Sequence, residues 1–584
     1  MNDSTNPLIV QSDKTLLLDV HSSLAEEARS AIMPFAELEK SPEHIHTYKI
    51  SPLSLWNAAS AGLTPADITA ALEKYTRYPL PQSVLDGFSD VMSRYGKIRL
   101  VSEDQLIPGK TASPAASLPE ELFLVSDDAA VMAEIGAARV LEKYIQRTAL
   151  GFRLQLVNRG SVKRELIRLG WPVKDEAPLV DGEPLEFSLR NETGSGMAFS
   201  PRDYQVEAAK SVLGNAGPGT GYGVVVLPCG SGKTVVGMTF MAMLKTNTLV
   251  LTTNVAAVHQ WMAELLDKTD LTPDRIAEYT GDSKSVAPVT IATYQILTWR
   301  PNKESDFPHF KLFRERPWGL IIYDEVHLLP APVFRVTAEL QAVRRLGLTA
   351  TLVREDGAED AVFSLVGPKR YDVPWKDLET KGWIAEALCT EIRIDMPEEL
   401  KIPYAVAGQR EKYRLASENP MKEIIVKQLV ENHPDDHILV IGQYITQLEA
   451  LAKILKAPLI TGKTPNKDRE QIYSAFKKGD VRVIVVSKVA NFAIDLPDAS
   501  MAVQVSGSFG SRQEEAQRLG RILRPKGRNS YFFTIVSRYT VEEEFAANRQ
   551  KFLAEQGYKY SIQSWSVDEI LSNSAELPRG VCPA

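Results

Sequence analysis

The stretch that decides the fold is Gly223-Val-Val-Val-Leu-Pro-Cys-Gly-Ser-Gly-Lys-Thr234. An apolar run of strand length, Gly223–Leu227, passes into the loop Pro228-Cys-Gly-Ser-Gly-Lys233-Thr234, and a helix-forming segment follows. Strand, glycine-rich turn and helix in that order are the context a phosphate-binding loop requires. Glycines let backbone N–H groups close on a β-phosphate. Lys233 adds a point charge at the β- and γ-phosphates, and the Thr234 hydroxyl can ligate Mg2+. Pro228, Cys229, Gly230, Ser231, Gly232, Lys233 and Thr234 are therefore the candidate nucleotide-binding residues. The full GxxxxGKT spacing fails because position 227 is Leu, although the shorter G-x-G-K-T core remains. A glycine turn that happens to contain a lysine is the rival reading, so the loop needs a second element.

That element is Asp324-Glu325-Val326-His327, which ends the apolar strand Leu320–Tyr323. Asp324 is placed to hold Mg2+, directly or through water, and Glu325 to polarise an attacking water. Solvated carboxylates at a strand end would be the bland account, but it weakens with a phosphate loop upstream at nucleotide-fold spacing. In Leu348-Thr349-Ala350-Thr351 the hydroxyls of Thr349 and Thr351 could link such a site to a second surface. Further on, Gln517-Arg-Leu-Gly-Arg521-Ile-Leu-Arg524 puts Arg521 and Arg524 at i and i+3, on one helical face. Facing a γ-phosphate across an interdomain cleft, they would act as arginine fingers; otherwise they form a basic solvated face.

From Pro201 onward, short apolar strands alternate with amphipathic helices. Strands are expected at Val224–Leu227, Thr248–Thr252, Val289–Thr293, Leu320–Tyr323 and Leu346–Leu348. A second series covers Ile438–Ile441, Pro458–Ile460, Val483–Val486, Ala502–Val505 and Tyr531–Val536. Apolar runs without alternation imply parallel sheets buried on both faces, and two series imply two tandem α/β domains. The N-terminal region reads as a small mixed domain over 1–106. Strands lie in Pro7–Val20 and helical spacing in Ser23–Leu38, Ser54–Ala61, Pro65–Tyr75 and Pro81–Tyr95. A Pro- and Ser-rich linker at 107–119 precedes a second small unit over 120–195, with helical segments Ala129–Gly136 and Val162–Leu169. The first α/β domain spans 196–375, the second 376–565, and a tail covers 566–584.

Bulk properties narrow the classes. A chain of 584 residues is too long for one core. Its 44% hydrophobic and 24% charged composition is ordinary for a globular protein. No apolar run approaches the ~20 residues of a membrane helix, and Met1-Asn2-Asp3-Ser4 offers no secretory leader, so an intracellular location is expected. Three cysteines, Cys229, Cys389 and Cys582, lack CxxC spacing, which disfavours disulfide, zinc-ribbon and iron–sulfur frameworks. A net charge of −7 does not exclude nucleic acid, since a local groove can grip a strand on an acidic protein.

Together the four elements resemble motifs I, II, III and VI of the superfamily-two helicases. More specifically, the chain resembles the XPB DNA helicases, through LPCGSGKT at 227–234, DEVHLLPA at 324–331, LTATLVRED at 348–356, SKVANFAIDLP at 487–497 and SRQEEAQRLGRILR at 511–524. Arg354-Glu355-Asp356 matches that family's RED element and is its most specific short signal. The likeness extends from Ser41–Gly62 and Tyr95-Gly96-Lys97 to Gln550–Tyr558. It lacks the acidic, serine-rich insert of eukaryotic members, which points to a bacterial form. Motif V departs at Ala493, where small polar residues are common.

The resemblance implies two RecA-like motor domains behind an XPB-type accessory domain and a damage-recognition-like domain. It implies ATP and Mg2+ as cofactors, and an ATP-dependent 3′-to-5′ DNA helicase or translocase opening duplex in repair. It adds His327 and Gln517 to the catalytic set of Lys233, Asp324, Glu325, Arg521 and Arg524. Arg202, Gln205 and Asp495 join the nucleotide site, with Gln205 on adenine. It places Thr253, Asn254, Thr280, Gly281, Thr293, Ser487 and Lys488 along the strand path, with Thr349, Thr351 and Arg354–Asp356 coupling it to the ATP site. Around Asp395–Pro420 the family carries a thumb insertion, although the pattern here equally suits a linker. The expected partner is single-stranded, forked or bubble DNA. The expected state is a monomer in the prokaryotic cytoplasm at the nucleoid, and any incision must come from a nuclease partner. Two rival readings stay open: an ATP-gated module that opens duplex locally, and an RNA helicase.

Overall fold

A computed structural model describes residues 6–40, 44–106, 120–214, 220–228, 230–302, 305, 307–329, 333, 337, 343–350, 359–373, 378, 381, 387–487, 499–506, 530–547 and 560–572. The chain divides into two compact units. The first comprises Met1–Glu37, Thr47–Leu227 and Gly232–Asp372; the second comprises Leu38–His46, Pro228–Ser231 and Val373–Ala584. Each is organised around a parallel sheet.

In the first unit, seven described strands run in the spatial order Ile276–Tyr279, Val289–Thr293, Thr248–Thr252, Leu320–Asp324, Arg344–Thr349, Tyr222–Val226 and Lys369–Asp372. Every pairing is parallel. Tyr222–Val226, Thr248–Thr252 and Val289–Thr293 are buried along their whole length, the signature of a sheet covered on both faces. Because the strands point one way, their C-terminal ends share one edge. Leu227–Pro228, Thr253, Thr280, Asp324 and the end of Arg344–Thr349 all fall there, the edge where open α/β sheets bind ligands.

The second unit repeats the plan, in the order Leu459–Ile460, Val483–Ser487, Ile438–Gly442, Met501–Gln504, Ser530–Ser537, Ala387–Ile394 and Tyr560–Trp565. Its described pairings are also parallel. These are two RecA-like domains, as expected. The strands added by the structure are mainly the polar or alternating ones: Ile276–Tyr279, Lys369–Asp372, Ala387–Ile394 and Tyr560–Trp565. Between Asp395 and Pro420 the chain forms two helices, Glu398–Val406 and Gln409–Ser417, so the plain linker is excluded there.

Two smaller sheets precede the first RecA-like domain. One has the order Leu8–Val10, Thr15–Asp19, Ile45–Lys49, Glu37–Lys40; the other has Ile145–Thr148, Gly151–Gln155, Glu121–Val125, Ile98–Val101, Val173–Asp175. The expected boundary at 106 therefore moves. Ile98–Val101 pairs antiparallel with Glu121–Val125 and parallel with Val173–Asp175, so it belongs to the second sheet. Helical spacing over Ser23–Leu38 also overreached: the helix is Ala25–Ile32, and Glu37–Lys40 is a strand.

These modules dock on the first RecA-like sheet through backbone-directed bonds. The Asn57 amide oxygen accepts from Lys369 N at 2.9 Å, and Arg370 donates to Ser60 O at 2.6 Å. Tyr222 Oη donates to Asp175 O at 2.9 Å. Residues after Asp175 then follow the sheet, where Arg344 donates to Val180 O at 2.6 Å and Arg316 pairs with Glu183 at 2.7 Å. Among the described residues, no helix is long and apolar enough to cross a membrane.

Candidate nucleotide-binding site

The loop after Tyr222–Val226 is shaped by backbone conformations that side chains resist. Gly230 and Gly232 have φ of +79° and +81°, in the left-handed region that glycine adopts without a Cβ clash. A Cβ at Gly232 would also come within 2.5 Å of Gln205 Nε2. Ser231 is fully buried and turns inward, its hydroxyl donating to Pro228 O at 2.6 Å. The helix that follows, Lys233–Leu244, starts at Gly232 with no side-chain cap. An uncapped, glycine-led helix start presents N–H groups and the positive end of the helix dipole, the chemistry that suits a polyphosphate.

Gln205 lies against this loop. Its Oε1 accepts from Arg202 N at 2.9 Å, capping the helix Asp203–Leu213, and the residue is only 4% exposed. Gln205 thus lies beside Gly232, and Arg202 stands at the start of the same helix.

At the adjacent strand end, Lys233 Nζ meets Glu325 Oε1 at 3.0 Å. Glu325 has φ of +50° and ψ of +55°, a left-handed conformation that costs a residue bearing a Cβ about 1–2 kcal/mol. Such strain persists only where its surroundings impose it. Its second oxygen, Oε2, is buried with no hydrogen-bond partner among the described residues, 3.5 Å from His327 Nδ1. His327 is itself buried, and its Nδ1 shares a 2.7 Å bond with Thr349 Oγ1. Leu227 N donates to Thr349 O at 2.9 Å, so the strand Arg344–Thr349 touches both the loop and the acidic box.

The two neighbouring carboxylates differ in how tightly they hold a proton. Burial, then the charge of Glu325, pushes Asp324 up to about 6. For Glu325 burial acts upward too, but Lys233 and then His327 outweigh it, and the carboxyl is held below its ordinary value. Asp324 is aimed by two N–H donors: Trp261 Nε1 reaches its Oδ2 at 2.9 Å, and Glu325 N its Oδ1 at 3.1 Å. Tyr294 Oη donates to its backbone carbonyl at 3.0 Å.

Trp261 and Tyr294 were missed from sequence. The available signal was Gly237 inside the helix Lys233–Leu244, where glycine costs about 1 kcal/mol relative to alanine. A Cβ there would come within 2.5 Å of the Trp261 ring, so the glycine is what admits the indole to Asp324.

The expected strand-path residues gather on the same edge. Asn254 caps the helix Val255–Lys268 by accepting from Ala257 N at 2.9 Å, and Thr293 caps Tyr294–Thr298 by accepting from Ile296 N at 3.2 Å. Asn254 Nδ2 donates to Thr253 Oγ1 at 3.1 Å. Thr280 is fully buried and donates to Glu278 Oε1 at 2.6 Å, whereas Gly281 faces open space. The hydroxyls of Thr280, Thr293 and Thr349 are thus engaged inside the domain. In the second unit, Ser487 Oγ is buried without a partner among the described residues. Cys229, Thr351, Arg354, Glu355, Asp356, Lys488, Asp495, Gln517, Arg521 and Arg524 lie outside the described residues, as do Ala493, the linker and Gln550–Tyr558.

Comparison with known proteins agrees with this arrangement. Residues 378–575 match the family described as ERCC3/RAD25/XPB C-terminal helicase. Residues 8–149 match a helicase conserved C-terminal domain, and 198–354 match the res subunit of type III restriction enzymes. The chain is 51% identical over 574 residues to the DNA 3′-5′ helicase XPB of Mycobacterium tuberculosis, covering 97% of this chain and 98% of that one. It is 50% identical to the protein of that name from Kineococcus radiotolerans, covering 95% and 96%. It is 32% identical to the general transcription and DNA repair factor IIH helicase/translocase subunit XPB of Enterocytozoon bieneusi, covering 96% and 93%.

Proposed function

The chain belongs to the XPB family of helicases, and from that premise we propose that it is an ATP-dependent DNA helicase or translocase moving 3′ to 5′ and opening duplex in repair. The observation that carries the chemistry is Glu325: ionised, strained, paired through one oxygen with Lys233, and holding its other oxygen buried without a hydrogen bond among the described residues, 3.5 Å from His327 Nδ1. A buried acceptor without a donor is costly unless something supplies one, and an attacking water is such a donor.

The residues present fit ATP with Mg2+. Glycine conformations and an uncapped helix start suit the phosphates, Lys233 can exchange Glu325 for phosphate oxygens, and Gln205 stands beside the loop for the base. Thr234 and Asp324 would hold Mg2+, which supplies charge neutralisation on the phosphates. When Lys233 turns to phosphate, Glu325 loses its main counter-charge and becomes the stronger base. His327 keeps the acidic box bonded to Thr349, so a shift in Glu325 reaches the strand Arg344–Thr349. Arg521 and Arg524 as arginine fingers, Gln517 beside them, and Arg354–Asp356 as a coupling element rest on sequence alone.

The same reading assigns the four-stranded N-terminal sheet with its helices as an accessory domain, the five-stranded sheet that begins at Ile98 as damage-recognition-like, 196–375 and 376–565 as motors, and the helices of 395–420 as the thumb. It takes DNA as partner, a monomer as the working state, the prokaryotic cytoplasm as location, and a separate nuclease for incision. The test is ATP hydrolysis with single-stranded DNA, bubble DNA and RNA side by side, together with displacement of a 3′-tailed duplex. Stimulation by DNA with displacement is expected. Strong hydrolysis with negligible displacement would leave a duplex-opening module, and stronger stimulation by RNA would make it an RNA helicase.

A further inference from the structure

The short helix Tyr294–Thr298 starts at Thr293 and ends at Trp299, so these two residues sit at opposite ends of about one and a half turns. Trp299 is 52% exposed, the most open aromatic of a cluster that is otherwise buried. Its ring meets His309 edge-on, with centroids 5.8 Å apart, and His309 meets Tyr279 edge-on at 5.7 Å. Tyr279 Oη and His309 Nδ1 share a 3.0 Å bond. Tyr279 is 2% exposed and His309 9%, so an exposed ring is mounted on two fixed ones.

Tyr279 directly precedes Thr280-Gly281, and its strand end is bridged by Lys284 on the far side of that turn. The surrounding charge is mixed. Arg300 lies over Phe307 with its guanidinium carbon 5.1 Å from the ring centroid. Burial, then Lys284 and Lys311, holds His309 below its ordinary value, which places both lysines within electrostatic reach. Acids lie nearby too: Glu278 accepts from Thr280, Glu315 acts on Tyr279, and Asp282 follows Gly281.

A single exposed tryptophan is unremarkable by itself. Here it is mounted on buried Tyr279 and His309, with Gly281 open just past that strand end and Arg300, Lys284 and Lys311 nearby. Those are the parts of a stacking platform for single-stranded nucleic acid, in which an aromatic face takes a base and cations follow the backbone. We propose that Trp299 is a base-stacking platform that extends the strand path of the first RecA-like domain, with Arg300, Lys284 and Lys311 contacting phosphates. The proposal rests on the DNA-helicase reading for its ligand. Stacking needs an unpaired base, so the platform grips single-stranded DNA and passes over duplex.

Trp299→Ala and Trp299→Phe in the full chain test it, with oligo-dT and a blunt duplex as probes read by fluorescence anisotropy. Alanine should weaken oligo-dT binding about tenfold and leave duplex binding within twofold, while phenylalanine restores most of the loss. The DNA concentration for half-maximal ATPase stimulation should rise for alanine with the maximal and DNA-free rates unchanged. Unaltered circular dichroism and melting would confirm that the variants fold. Oligo-dT binding by the alanine variant within twofold of the parent overturns the platform, and so does an equal loss on duplex. If the parent binds oligo-dT through Trp299 but its ATPase ignores DNA, the helicase reading fails and the platform stands. If the parent does not bind oligo-dT, both fail.

Discussion

Two lysine–carboxylate pairs of the first unit have almost equal length and opposite character. Lys163 Nζ lies 2.9 Å from Asp175, and Lys233 Nζ lies 3.0 Å from Glu325. At Asp175 both carboxylate oxygens are satisfied. Its Oδ1 accepts from Arg159 Nη2 at 2.8 Å and Ala177 N at 3.3 Å; its Oδ2 accepts from Arg159 Nε at 3.0 Å and from Lys163. Arg159 and Asp175 are essentially without exposure, and Arg345 is buried nearby. At Glu325 one oxygen is paired, the other makes no hydrogen bond among the described residues, and the backbone is strained. Saturation makes the first pair a fixed joint between the five-stranded sheet and the RecA-like sheet, whose Tyr222 bonds Asp175 O. Incompleteness makes the second a site that a ligand can finish.

Asp175→Ala is the largest way to break this contrast. It strands the buried Arg159 and Lys163 without their counter-charge, and should cost about 3–5 kcal/mol of stability by urea unfolding. A loss below about 1 kcal/mol would mean the joint is not what fastens the sheets.

Glu325→Gln should reverse the pattern. We expect hydrolysis to fall about 10²–10⁴-fold, the range for losing a general base, with ATP and DNA binding retained and unfolding little changed. Undiminished turnover would remove Glu325 from the chemistry.

These two regions also differ in how far the sequence revealed them. The loop and acidic box were legible because each is local: a strand, a turn with two glycines, a lysine, then two carboxylates at another strand end. Buried apolar strands such as Ile438–Gly442 were legible for the same reason. Arg159, Lys163, Asp175 and Arg345 were not, because as isolated residues they look like solvated charges and only the three-dimensional pairing of distant segments buries them. Strands carrying charge, such as Lys369–Asp372, and Ala387–Ile394 with its buried Glu391, escaped on similar grounds. Trp261 escaped because its partner is 63 residues away.

Asp324, next to the second pair, and Asp175, within the first, respond to pH with opposite sign. Asp324, raised to about 6, keeps a proton in the folded state that the unfolded chain releases above about 4. Its contribution therefore favours folding as pH falls from 7 to 5. Asp175 is held far below the carboxylate range by Arg159 and Lys163, which overcome its burial, so its contribution is lost only as pH drops below about 4. Between pH 7 and 5 the ligand-free protein should gain about 1 kcal/mol relative to Asp324→Asn. A difference that stays flat across that interval, measured by urea unfolding, would show that Asp324 titrates elsewhere.

The smallest effect isolates the strain at Glu325. Replacing it with alanine removes the carboxylate and keeps the left-handed φ, while glycine removes both the carboxylate and the Cβ that makes that φ costly. Both variants lose the pair with Lys233 and should lose hydrolysis alike, so the stability difference between them reports the backbone alone. Alanine retains about 1–2 kcal/mol of strain, and glycine gives back about 0.5–1 kcal/mol through the greater freedom of its unfolded chain. Glu325→Gly should therefore be more stable than Glu325→Ala by about 0.5–1 kcal/mol in paired thermal or urea unfolding. Equal stability, or a more stable alanine variant, would mean that Glu325 relaxes out of the left-handed region once its carboxylate is gone. The strain would then belong to the ion pair with Lys233, and nucleotide binding at that lysine would release it.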